Sequence, residues 1–161
     1  MPAHGSGATT IAVVLYPGLT ALDLVGPLQV LTELEHLAPQ YRTVVVGAHT
    51  DPMATDLPLQ LVADRTFADV PHPEVLVVPG GRIGTLRAMR DPGVRAYVRT
   101  AATSADVVGS VCTGSLILGA VGLLTGRQAT TSGRGAAHAA SGIRARRRRR
   151  GRSPVPALRD A

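Results

Sequence analysis

Three short stretches of this sequence carry residue types suited to covalent and acid–base chemistry, and each follows an aliphatic run. Cys112-Thr113-Gly114 follows residues 106–111, Gly80-Gly81 follows residues 75–78, and Asp23 stands shortly after residues 10–15 and the turn Tyr16-Pro17-Gly18. A thiol between a strand and a helix N-terminus sits at the positive end of the helix dipole, beside N–H groups that lack helical partners. Both favour the thiolate, the reactive form of cysteine. Gly114 lets such a turn close tightly, in the manner of a nucleophile elbow with sulfur in place of oxygen. A single cysteine in this position is also consistent with a buried structural thiol. Gly80-Gly81 reads either as an ordinary turn or as N–H donors that, with the Thr113 N–H, hold developing negative charge. Asp23 reads either as a capping-box residue or as a carboxyl within reach of the Cys112 sulfur, able to shuttle a proton.

The elements that must position these residues follow from periodicity. Residues 10–15 form a short aliphatic run ended by Pro17-Gly18, which reads as a buried strand. Leu24, Leu28, Leu31 and Leu34 then mark one stripe of a helix. That helix opens either at Thr20, with Asp23 at its third position and Pro27 inside, or at Pro27 itself. Residues 41–48 and 75–78 read as the second and third strands. The intervening residues 49–73 contain four prolines and no helical period, so short extended pieces such as residues 59–62 fit best. Asp91-Pro92 is an N-cap followed by proline at the first helical position, opening a helix to about residue 102. Residues 106–111 are the fourth strand, and residues 113–124 the last helix, ended by Gly126. This alternation predicts an α/β fold: a doubly wound, flavodoxin-like and mostly parallel sheet with helices on both faces. Ligands of such sheets bind beyond the carboxyl ends of the strands, where all three stretches fall.

Composition sharpens what is excluded. Cysteine occurs once, so no internal disulfide forms, which fits a reducing cytoplasm. The five histidines show no metal-ligand spacing, and neither a P-loop nor a dinucleotide fingerprint is present, so no metal or cofactor is expected. The most apolar window, residues 107–124, is broken by Ser110, Thr113, Gly114 and Ser115, which argues against a membrane helix. The net charge of +6 is unevenly placed. Through Thr131 the chain has eight Arg against ten acidic residues, whereas residues 132–161 have nine Arg against Asp160 alone. Residues 144–152 contain seven Arg. Residues 1–9 and 132–161 therefore read as disordered, and the Arg-rich tail would bind nucleic acid only through phosphates, without sequence preference.

In combination, Tyr16 to Leu31, Val77-Val-Pro-Gly-Gly81 and Val111-Cys-Thr-Gly-Ser-Leu116, with its continuation to Thr131, resemble the ThiJ/PfpI superfamily, which shares its fold with class I glutamine amidotransferases. Within it, Leu22-Asp-Leu24 and Val111-Cys-Thr-Gly-Ser-Leu116 are similar to isonitrile hydratase-like proteins. The resemblance covers about residues 10–131. It implies Cys112 as nucleophile, Asp23 as the acid/base carboxyl and Thr113 as a neighbour that binds the reacting group. It further implies cofactor-free hydration of an isonitrile to an N-substituted formamide, and a homodimer.

The family pattern continues after Ala129-Thr-Thr131 with a histidine, where this chain has Ser132, and then with further strands and helices. A shifted reading frame near codon 131, or a degraded gene, would produce the Arg-rich ending, and such a chain is expected to be a poor enzyme. AraC-type regulators carry a similar domain as a sensor ahead of a helix-turn-helix reader. A ligand-sensing domain without that reader is the competing expectation.

Overall fold

The computed structural model describes residues 7–131. In chain order the elements are β1 (Thr9–Val14), α1 (Ala21–Leu37), β2 (Tyr41–Gly47), β3 (Met53–Ala54), β4 (Gln60–Leu61), β5 (Arg65–Thr66), β6 (Val75–Val78), α2 (Arg82–Ala88), α3 (Pro92–Ser104), β7 (Val107–Ser110) and α4 (Gly114–Ala120). Five strands form one sheet in the order β5-β2-β1-β6-β7, with every pairing parallel. The fold is therefore the expected α/β, flavodoxin-like arrangement. β3 and β4 make a separate antiparallel ribbon from the proline-rich segment.

The sheet is organised around β1. Its residues pair with β2 on one side (Val13 opposite Val45) and with β6 on the other (Val13 opposite Val77). Paired on both edges and covered on both faces, Ile11 to Tyr16 are buried almost completely. A central parallel strand needs this kind of uninterrupted aliphatic run. The chain leaves β1 toward β2 and leaves β6 toward β7, in opposite directions. Right-handed crossovers then put α1 and α3 on opposite faces. α1 packs on β1 and β2, whereas α3 packs on β6 and α4. The strand order reverses between β1 and β6, so the crevice for a ligand opens at the carboxyl ends of those two strands.

Local sequence explains several boundaries. Asp91 accepts a hydrogen bond from the Val94 N–H (2.8 Å) and Pro92 follows, so α3 starts where the Asp-Pro pair predicts. α1 takes the first of its two expected openings, with Thr20 at the N-cap position and Pro27 inside the helix. Pro27 has no N–H, so the Asp23 carbonyl loses its usual helical donor. α4 is shorter than the expected 113–124, because the chain turns after Ala120 and Gly122 adopts a positive φ of 85°.

α2 was not expected, and its pattern shows why. Its buried positions are Gly84, Thr85 and Ala88, whereas Ile83 and Leu86 point outward. A helix with small and polar residues inside and apolar ones outside carries no amphipathic signal. Of the N-terminal stretch expected to be disordered, residues 7–9 are described and Thr9 opens β1, whereas residues 1–6 and 132–161, with the Arg-rich stretch and its nucleic-acid reading, lie outside the described residues. No helix among the described residues is long and apolar enough to cross a membrane.

Candidate active site

The nucleophile position is built by an unusual backbone turn. β7 is continued by the Val111 N–H, which donates to the Val78 carbonyl (3.0 Å), and the Gly114 N–H then closes back on the Val111 carbonyl (2.9 Å). Between them Cys112 takes a φ of 55°, the one non-glycine residue with positive φ among the described residues. A left-handed conformation at a residue with a Cβ costs on the order of 1–3 kcal/mol and persists only where its surroundings impose it. Here the imposing contact is Gly114. A methyl group at Gly114 would lie well inside contact distance of the Val78 carbonyl oxygen. Only glycine lets α4 sit that close to the end of β6. Cys112 is thereby presented on the surface of the crevice, exposed to solvent. The Thr131 hydroxyl donates to the Cys112 carbonyl (3.0 Å), which fixes the same peptide from the other side.

Asp23 arrives from the first turn of α1. The capping-box role is not realised. The Thr20 N–H donates to the Gly80 carbonyl (2.9 Å), and Thr20 makes no side-chain cap. The Ala21 N–H is capped instead by Asp56 Oδ1 (3.0 Å), from the β3–β4 connection. Asp23 is left to point inward, and its Oδ2 is buried without a hydrogen-bond partner. A buried, unpaired carboxyl oxygen costs free energy, and native structures keep few of them.

Gly80 marks where the elements converge. A methyl group at its Cα would sit 2.8 Å from Asp23 Oδ2, 2.6 Å from the Thr113 N and 2.8 Å from Thr113 Oγ1. Glycine is required here so that α1, the end of β6 and the elbow can close on one another. The Gly80 carbonyl is committed to Thr20, and the Gly81 N–H donates to Thr113 Oγ1 (3.1 Å). Of the N–H groups expected to stabilise charge, that of Gly81 is thus turned onto the threonine side chain.

Two residues absent from the sequence-based expectation lie behind this site. Tyr16 follows the end of β1 and is 1% exposed; its hydroxyl donates to the Pro79 carbonyl (2.8 Å). Burial pushes the Tyr16 phenol well above its ordinary range, the Thr85 hydrogen bond opposes that shift, and the nearby Asp23 and Cys112 charges add to it. The phenol stays protonated throughout the physiological range. Thr85, on α2, is fully buried and lies 3.0 Å from the Thr113 hydroxyl. A tyrosine closing an aliphatic run was the available signal for Tyr16. Nothing local marked Thr85. Among the described residues no cluster of His, Cys, Asp and Glu is arranged to hold a metal ion.

Comparison with known proteins identifies the family of this fold. The DJ-1/PfpI family model matches residues 9–137. Isonitrile hydratase of Pseudomonas putida is 42% identical over 125 residues, which cover 77% of this chain and 52% of that protein. An uncharacterised Streptomyces lividans protein from the cpoL 5' region is 34% identical over 132 residues, covering 78% of this chain and 89% of its own length. The crystal structure of a ThiJ/PfpI family protein from Pseudomonas syringae superposes with a TM-score of 0.72 at 37% identity, over 81% of this chain and 56% of that one. The chain thus spans about half the length of the hydratase and of that solved relative. Matched by the family model over most of its length, and sharing that fold with its relatives, the chain belongs to the DJ-1/PfpI family.

Proposed function

We propose that this protein is a cysteine-dependent hydro-lyase that adds water to a small isonitrile and yields an N-substituted formamide. The observation that carries the reading is the buried, unpartnered Asp23 Oδ2, converging with the Thr113 N on Gly80 beside the Cys112 elbow. The 42% identity to a protein that carries this activity supports the same reading.

The chemistry follows from the groups present. The Cys112 thiolate attacks the terminal carbon of R–N≡C, forming a C–S bond. The Asp23 carboxyl delivers a proton to that carbon, giving a thioimidate, R–N=CH–S–Cys112. Water then adds to the same carbon and gives one proton back to Asp23. The C–S bond breaks, the thiolate leaves, and R–N=CH–OH tautomerises to R–NH–CHO. Atoms and charge balance, and no cofactor enters. Thr113 binds the reacting group through its N–H, with Gly80 leaving room for it.

The reading retains the homodimer and the cytoplasmic setting that the family resemblance and the single thiol suggest. Leu22, Val25 and Val30 on the outer side of α1 are exposed and would suit a second copy. The test is to follow formamide production from a simple isonitrile by NMR, using the full 161-residue chain. Slow turnover is expected of a chain that lacks the rest of the family pattern, Cys112→Ala abolishes it, and Asp23→Asn lowers kcat by about 100-fold, the scale of one general acid/base group. Turnover that survives Cys112→Ala overturns the mechanism. An absence of turnover both in this chain and in one with the family pattern restored past Thr131 overturns the assignment and favours a ligand-sensing domain.

A further inference from the structure

Behind the site runs a line of hydroxyl groups that the proposed chemistry does not use directly. Tyr16 OH lies 2.8 Å from the Pro79 carbonyl and 3.2 Å from Thr85 Oγ1. Thr85 Oγ1 lies 3.0 Å from Thr113 Oγ1, which in turn accepts the Gly81 N–H at 3.1 Å. Each hydroxyl has one proton to give, so the donors can be ordered by elimination.

A carbonyl only accepts, so the Tyr16 proton is committed to Pro79. Burial keeps that phenol protonated, so the commitment does not lapse near neutral pH. The Tyr16 oxygen must then accept from Thr85, which uses the single Thr85 proton. Thr85 is left to accept, and the proton between it and Thr113 belongs to Thr113. The Gly81 carbonyl is the other acceptor in reach of Thr113, at the longer distance of 3.2 Å, and it shares its lone pairs with the Thr85 N–H (3.1 Å). Turning the Thr113 proton there would also set two lone pairs against each other across the 3.0 Å Thr85–Thr113 contact.

We propose that Thr85 is a positioning residue for this site: by taking the Thr113 hydroxyl proton, it fixes that hydroxyl as a proton acceptor toward the Asp23 side of the crevice. The inference rests on the hydration reading for its kinetic consequence, though not for its geometry. With its proton drawn away and one lone pair filled by the Gly81 N–H, Thr113 Oγ1 offers its other lone pair beside Gly80, where Asp23 Oδ2 also converges. It can orient the attacking water in the space it shares with the Asp23 carboxyl. It does not donate to the thiolate or to the reacting carbon.

The variants are Thr85→Val, Thr85→Ser and Tyr16→Phe in the full chain, with cooperative unfolding checked for each. Thr85→Val frees the Thr113 proton. It is expected to lower kcat about 10-fold, the weight of one oriented hydrogen bond, with KM changed by less than about 2-fold. Thr85→Ser keeps the hydroxyl and is expected to stay within about 3-fold of the parent. Tyr16→Phe removes the acceptor that anchors the order, so it lowers kcat in the same direction even if Thr85→Val does not fold. An unchanged kcat in Thr85→Val or Tyr16→Phe overturns the proposal. So does a Thr85→Ser variant as impaired as the valine, or a loss confined to KM. If the parent chain makes no formamide, alkylation of Cys112 by iodoacetamide decides the inference, independently of the hydration reading. A Thr113 hydroxyl released from Thr85 turns to the Gly81 carbonyl and changes what it presents beside Cys112, so Thr85→Val then shifts the alkylation rate by about 3-fold while Thr85→Ser does not. Equal alkylation rates in all three chains overturn it.

Discussion

β1 and β7 both deliver site residues to the same crevice, yet they are supported in opposite ways. β1 is paired on both edges, and Ala12, Val13 and Val14 are completely buried. β7 pairs with β6 alone among the described residues, and its Val107 is 56% exposed. The strand leading to Tyr16 and Asp23 is therefore held by the bulk of the core. The strand leading to Cys112 is held by a few contacts at its end: the Val111 N–H on Val78, the close packing of Gly114 and the Thr131 hydroxyl on the Cys112 carbonyl. One half of the site depends on hydrophobic burial, the other on backbone fit. The two should fail differently when disturbed.

Gly114→Ala is the most severe test of that difference. Its new methyl group would overlap a backbone oxygen, which cannot move aside as a side chain does. A destabilisation of about 4 kcal/mol is expected, at the top of the usual single-mutation range. Denaturant unfolding measures it, and alkylation of Cys112 should lose its dependence on the folded state. A loss below about 1 kcal/mol would mean that the elbow relaxes freely and that β7 needs no such support. Leu15→Ala attacks the other half. Leu15 is 1% exposed at the end of β1, and deleting it should cost about 3 kcal/mol through lost burial and a residual cavity. In the surviving folded fraction the elbow should stay intact, with Cys112 alkylated at the parent rate. Val107→Ala is the smallest of the three. A half-exposed edge residue should change stability by less than about 0.5 kcal/mol, and a larger loss would show that β7 is covered in solution by something that packs on Val107.

The same contrast explains what could be read from the sequence. β6 was legible to the residue, because Val75-Leu-Val-Val78 is an aliphatic run closed by Pro79-Gly80. α3 was legible at its start because Asp91 and Pro92 are a local signal. Cys112, Thr113, Gly80 and Gly81 stand just past such runs and Asp23 one turn further on, which marks them in the sequence, and the fold brings Asp23, Gly80 and Thr113 to one point. Contacts distant in sequence were not legible. Asp56 caps α1 from 35 residues away, and Thr85 meets Tyr16 from 69. β5 contributes only Arg65 and Thr66, too short for any period, yet it closes the sheet beside β2. Thr85 illustrates the general limit. On α2 it is a polar residue in an inward position, which in a sequence resembles an outward one.

The positive φ at Cys112 also restricts which nucleophiles this scaffold can carry. A left-handed residue tolerates an unbranched side chain at modest cost but sets a β-branched one against its own backbone. Serine can therefore replace the cysteine without disturbing the turn, and glycine would relax it. Threonine is excluded by stereochemistry whatever its chemical merits. The elbow thus sorts side chains by shape before reactivity is tested, so within this fold a change of reactive atom can go from sulfur to a primary hydroxyl and not to a secondary one.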